Sequence, residues 1–163
     1  MPVLMLITFG IIEFGMLYGN VSTVSSASRS GARLGATGYT AAANKATYVT
    51  TMGAAARKDL SALSQGTPIQ MWVYKANAGR PASCTAANNC WVMTWSASTK
   101  TWNAPSGGWT NPDACGTTLD TIGVYVEAQH RFVSGFFGSN KTISAKTVMR
   151  IEPLPSDQCA AGA

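Results

Sequence analysis

The chain opens on an almost unbroken apolar run. Residues 1–19 carry a single charge, Glu13. Counted to Val24, the run is long enough for a helix rising about 1.5 Å per residue to cross a hydrocarbon core of about 30 Å. The pattern then changes from apolar to small and polar, with Ser22, Ser25, Ser26, Ser28 and Ser30 suited to a segment that has left the lipid. Across that change, Gly15, Gly19, Thr23, Ala27, Gly31 and Gly35 fall on every fourth position. In a helix these make a ridge of small residues with GxxxG steps at Gly15–Gly19 and Gly31–Gly35. Each glycine costs a helix about 1 kcal/mol relative to alanine, and close approach of another helix is the compensation expected. A cleaved signal peptide would carry a basic start and a shorter apolar core. Here no positive charge precedes the run and Glu13 interrupts it, so a retained helix is expected.

Further along, Ala43, Ala46, Val49, Met52, Ala56, Leu60 and Leu63 recur at three- and four-residue spacing, which predicts an amphipathic helix. Gly35 and Gly38 mark a break before it, and Gly66-Thr67-Pro68 ends it. The period then shortens to two. "PIQMWVYKA" places Ile69, Met71 and Val73 on one face, "CWVMTWSAS" follows from Cys90, "TIGVYVEAQ" alternates Ile122, Val124 and Val126, and "TISAKTVMRIE" carries Ile143, Ala145, Thr147, Met149 and Ile151. The expected fold is α+β: a long N-terminal hydrophobic helix, and an amphipathic helix packed on a roughly four-stranded antiparallel sheet. The division expected is a membrane and assembly helix over residues 1–36 and a head over 37–163. The Gly-, Pro-, Asn- and Ser-rich stretch around Trp102 and Trp109 reads as a long surface loop and a possible contact surface.

Charge narrows the function. The net charge is +5, but the twelve Lys and Arg are scattered singly, without the basic stripe that nucleic acid requires. Only 12% of residues are charged, which suits an exported surface. Cys84, Cys90, Cys115 and Cys159 lack the C-x2-C knuckles of a zinc site, and the single His130 stands in no ligand pattern. Two disulfides in an oxidising compartment are expected instead. Three connectivities are open, of which Cys84–Cys90 with Cys115–Cys159 is favoured.

No cofactor fingerprint and no nucleophile elbow is present; "GARLGATG" follows no strand. Asp113 and Asp120 flank a cysteine in turn-like sequence, and a lone His130 at a strand end reads as structural. An enzyme is therefore not expected. "RFVSGFFG", with Phe132, Phe136 and Phe137, reads as an apolar hairpin end that packs under the first helix, docks on a neighbour or enters lipid. Glu13 is the remaining anomaly, because a carboxylate inside a membrane span is costly. The nearest cations of the same helix, Arg29 and Arg33, stand sixteen or more residues on, about 24 Å along the axis. A partner cation on another subunit is the expectation, with a side chain that merely reaches interfacial water as the alternative.

The stretch from Met1 to Thr37 resembles the N-terminal region of the TadE-like minor pilins of tight-adherence (Tad) pili. The likeness rests on the Phe-Gly-Ile-Ile-Glu-Phe-Gly motif, Phe9 to Gly15, and on Arg29, Gly31, Ala32 and Arg33 closing a small-residue helix. A weaker echo lies in the strand, hydrophobic loop and strand from Thr121 to Pro153. The family's prepilin-peptidase signature is absent: Gly10 followed by Glu13 has the wrong spacing, so Met1 reads as a truncated start or an internal residue of a longer precursor. The resemblance implies a structural subunit that binds no cofactor. It would be held in the cytoplasmic membrane by one pass with its head outside the cytoplasm, then built into a cell-surface adhesive pilus. Its implied partners are a Flp-type major pilin, a second minor pilin and the pilus assembly platform. The competing reading is a membrane-anchored extracellular binding domain with the Trp-rich loop as its adhesive surface.

Overall fold

In the computed structural model, residues 2–39, 44–109, 112–115, 117–135 and 138–160 are described. Helix α1 runs Pro2–Thr37 and helix α2 Lys45–Leu60. The strands are β1 Gly66–Lys75, β2 Cys90–Ser96, β3 Thr101–Trp102, β4 Ser106–Gly108, β5 Thr121–Arg131 and β6 Asn140–Arg150, and a short helix, α3 Ser156–Ala160, follows. The strands form one antiparallel sheet in the order β3-β2-β1-β5-β6, with β4 also paired to β2. The four long strands are those the two-residue period predicts. The two short ones come from the stretch expected to be loop, where each adds only a few residues to the edge of β2.

Local chemistry sets the helix ends. Asn44 caps α2 by accepting from the Ala46 N–H at 3.0 Å, and Arg57 and Lys58 face the negative end of its dipole. At the end of α1 the Gly38 N–H returns to the Leu34 carbonyl at 2.8 Å. Both helices lie on one face of the sheet. The core between them takes Val24, Ala27, Ala32 and Ala36 from α1, Val49, Met52, Ala56 and Leu60 from α2, and Met71, Val73, Ile122, Val124 and Val126 from the strands, all buried. Ala43 lies outside the described residues, and the rest of the α2 apolar pattern points inward or half-inward.

Polar contacts bind the layers as well. Ser30 and Ser26 of α1 both donate to Asp59 of α2, and Ser28 meets Thr147 of β6 at 2.8 Å. The stem serines thus serve the head and not only solvent. The Tyr48 hydroxyl donates to the Gly35 carbonyl, and burial pushes that phenol well above its ordinary range.

Ile69 departs from its expected face. The pairing of β1 with β5 shifts register between Pro68 and Gln70, and proline has no N–H to offer the ladder. The extra residue is Ile69, which turns outward to 38% exposure, while Met71 and Val73 remain in the core. The outer sheet face carries a polar and aromatic ladder: Arg80 stacks over Trp72 and Tyr125, and Gln70 donates to Glu127 at 2.6 Å.

Disulfides join Cys84 to Cys90 and Cys115 to Cys159, closing separations of 6 and 44 residues. Loop-closure entropy assigns about 2 and about 4 kcal/mol to loops of those sizes. The longer one ties the segment before β5 to α3, where local secondary structure is sparse.

Candidate functional site

Apart from Glu13, most of the N-terminal half of α1 is not covered by the head. Val3, Leu4, Met5, Leu6, Ile7, Phe9, Ile11, Ile12 and Phe14 are between 50 and 70% exposed. The stretch from Val3 is long and apolar enough to cross a membrane. In water so large an apolar surface would be costly at about 25 cal/mol per Å2, so it requires lipid or protein cover.

The small-residue ridge divides in the middle. Gly15 and Gly19 face open space, and Thr23 is half-buried. Ala27, Gly31 and Gly35 are buried against the chain's own head. A Cβ on Gly31 would lie 3.1 Å from Met71 Cε, and one on Gly35 would lie 2.6 Å from Met52 Cε and 2.7 Å from Ile122 Cδ1. Helix geometry causes the division. At 3.6 residues per turn each four-residue step drifts about 40°, so a ridge from Gly15 to Gly35 turns through about 200°. Its upper part seats the sheet and α2, and only Gly15 and Gly19 remain bare.

Strand β5 runs down α1 antiparallel to it. Ile122 lies against Gly35, Val124 against Gly31, His130 against Asn20, and Ser134 against Glu13. Asn20 and Glu13 are seven residues apart and share one face of the helix. The Asn20 amide donates to the Ser64 carbonyl at 2.5 Å and to His130 Nδ1 at 2.8 Å, while its oxygen accepts from the Ser64 N–H at 2.9 Å. His130 is fully buried. Because Nδ1 accepts, the ring proton resides on Nε2, and that nitrogen has no hydrogen-bond partner among the described residues. His130 is structural: it sits edge-on to Phe132 at 5.0 Å and holds the foot of β5 on the stem.

Glu13 is 2% exposed within this otherwise bare segment. Its Oε1 accepts from the Ser134 N–H in the β5–β6 turn. One oxygen is thus held within the chain by a backbone N–H, which is not the cation expected on another subunit. Oε2 is buried with no hydrogen-bond partner among the described residues. Glu13 and Ser134 are the polar walls of a groove of about 300 Å3 whose apolar walls are Phe9, Ile12, Met16 and Val133. Phe136 and Phe137 lie outside the described residues.

The tryptophans do not make an exposed platform. Trp109 is 3% exposed, because it fills the core. Trp102 is half-buried, donates to the Gly53 carbonyl at 2.9 Å and packs edge-on to Trp95 at 5.0 Å. Asp120, also buried, pairs with Lys75 at 2.8 Å and accepts from the Asp113 N–H at 2.9 Å, an ordered turn. Among the described residues no cluster of His, Cys, Asp and Glu is arranged to hold a metal.

The family model of TadE-like proteins matches residues 1–33. Over those residues the stem is similar to TadE-like proteins. That match links the chain to components of the Tad pilus, and it stops inside α1, so the sheet lies outside it. No curated protein and no solved structure matches the chain. Within the TadE-like segment the structure distinguishes a bare apolar half, carrying Gly15 and Gly19, from a half sunk into the head. Sequence reasoning passed over Asn20 and Ser134. Asn20 carries a trace of its role, as the polar residue two helical turns after Glu13. Ser134 carries none, since a backbone N–H leaves no mark in the sequence.

Proposed function

We propose that this chain is a minor pilin of a Tad-type pilus, a structural subunit and not a catalyst. The observation that carries the reading is the TadE-like α1, one continuous helix whose first half is bare and apolar while its second half is locked into a disulfide-stapled head. Before assembly the bare half lies in the cytoplasmic membrane with the head outside the cytoplasm. On assembly, stems of a Flp-type major pilin and a second minor pilin replace lipid around it, on the pilus assembly platform. Gly15 and Gly19 give those neighbours a smooth patch on which backbones approach closely, and the free oxygen of Glu13 offers an acceptor to a partner cation. The assembled fibre serves adhesion at the cell surface.

The decisive experiment follows a tagged full-length chain in piliated cells. Fibres sheared from the surface should contain it together with the major pilin. Its confinement to the membrane fraction, with no pilin co-purifying, would favour the solitary anchored binding domain.

A further inference from the structure

Four observations converge on the turn between β5 and β6. First, β5 carries it down the stem until Ser134 meets Glu13, well inside the apolar run. Glu13 stands five residues before Tyr18, which is 78% exposed where the stem turns polar; five residues span about 7–8 Å of helix. An exposed tyrosine at such a boundary suits the headgroup level, which puts the turn where acyl chains begin. Second, four N–H groups at and around the turn, among the described residues, find acceptors within the chain. The Arg131 N–H goes to Gln65, Phe132 to Ser139, Gly138 to Gly135 and Ser134 to Glu13. Irregular backbone is tolerated near hydrocarbon only when its polar groups are so occupied.

Third, Val133 is 66% exposed, and it continues the apolar surface of Phe9, Ile12 and Met16 around the groove. Fourth, charge is graded along the hairpin. Residues 132–139 include no charged side chain, whereas Arg131 and Lys141 stand exposed at the hairpin base and form no ion pair among the described residues. Exposed Val133 below a basic pair at the hairpin base matches acyl chains below anionic phosphates.

We propose a second membrane contact beside the stem: Val133 enters the acyl region of the leaflet on the head side, and Arg131 and Lys141 engage anionic phospholipid headgroups. The proposal rests on the membrane reading of the stem. It makes the head a docked body with a fixed height above the bilayer, because stem and turn enter the same leaflet side by side.

The test uses the full chain in vesicles of equimolar phosphatidylcholine and phosphatidylglycerol, with bromines placed near the ester end of the acyl chains. Val133→Trp adds an indole at an exposed position, and Leu6→Trp reports on the stem. The added emission of both variants should be quenched. Quenching of Leu6→Trp without quenching of Val133→Trp would place the turn in water and overturn the proposal while leaving the stem in the membrane. Absence of quenching in both would overturn the membrane reading, and this proposal with it. An unquenched Val133→Trp together with cross-linking between two copies through position 133 would assign the surface to a second copy of the chain and overturn lipid as its occupant. Adding Arg131→Gln and Lys141→Gln should reduce quenching at position 133 to its level in pure phosphatidylcholine vesicles, with Leu6→Trp unaffected; no reduction would overturn the headgroup contact.

Discussion

Asn20 and Glu13 are two polar side chains on one face of α1, and each is answered from the head. Asn20→Ala leaves the buried His130 ring without its donor and the Ser64 backbone without its partner. The expected loss is about 1–3 kcal/mol, seen as a lower urea midpoint of the detergent-solubilised protein, with the largest loss of amide-exchange protection at the foot of β5. Glu13 separates two roles. Glu13→Gln keeps an oxygen for the Ser134 N–H, so hairpin docking should persist while incorporation into fibres falls if a partner cation is recognised. Glu13→Leu should lose both, with exchange protection of the Ser134 amide reporting the docking. Equal fibre incorporation of wild type and Glu13→Gln would leave the carboxylate with only its own hairpin to serve.

At the scale of elements, the sequence displays whatever repeats along one element and conceals whatever depends on a second. The apolar run, the α2 face of Val49, Met52, Ala56 and Leu60, and the alternation in the long strands were all legible, because each is local. The four-residue ridge was legible too, but not what it faces. Its drift around α1 divides it between a head whose contacting residues, Met52 to Val124, stand 17 to 93 residues further along the chain and a surface still bare. Likewise Ile69 fits its strand by alternation, and only the register shift beside Pro68 turns it outward. The same logic corrects the use of the glycines. Gly31→Leu would drive a side chain into Met71 and Val124, costing about 1–3 kcal/mol of head stability, whereas Gly19→Leu meets open space. Thermal unfolding should therefore shift for Gly31→Leu alone, and Gly19→Leu should remain as stable as wild type yet enter fibres poorly. A Gly19→Leu chain that assembles normally would remove the bare patch from the interface.

For the molecule as a whole, stem and head share one core. Val24, Ala27, Ala32 and Ala36 are buried among sheet and α2 residues, so a head beginning at residue 37 would lack one wall of its interior. Expressed in an oxidising compartment, such a fragment should show lost near-ultraviolet circular dichroism and bind hydrophobic dyes. A fragment beginning at Gly15 keeps Asn20 and the whole inner half of α1, and should retain a cooperative transition; a folded fragment from residue 37 would show that α1 is dispensable to the head.

The side-by-side course of α1 and β5 also has a mechanical meaning. A tension drawn along the stem acts parallel to β5, and through it along the β1–β5 and β5–β6 ladders, whose hydrogen bonds lie across the direction of pull. Load is then shared by many bonds in shear and not taken one at a time by a peeling edge. A subunit with that geometry is expected to yield late under traction, the loading that the proposed fibre would impose on each of its parts.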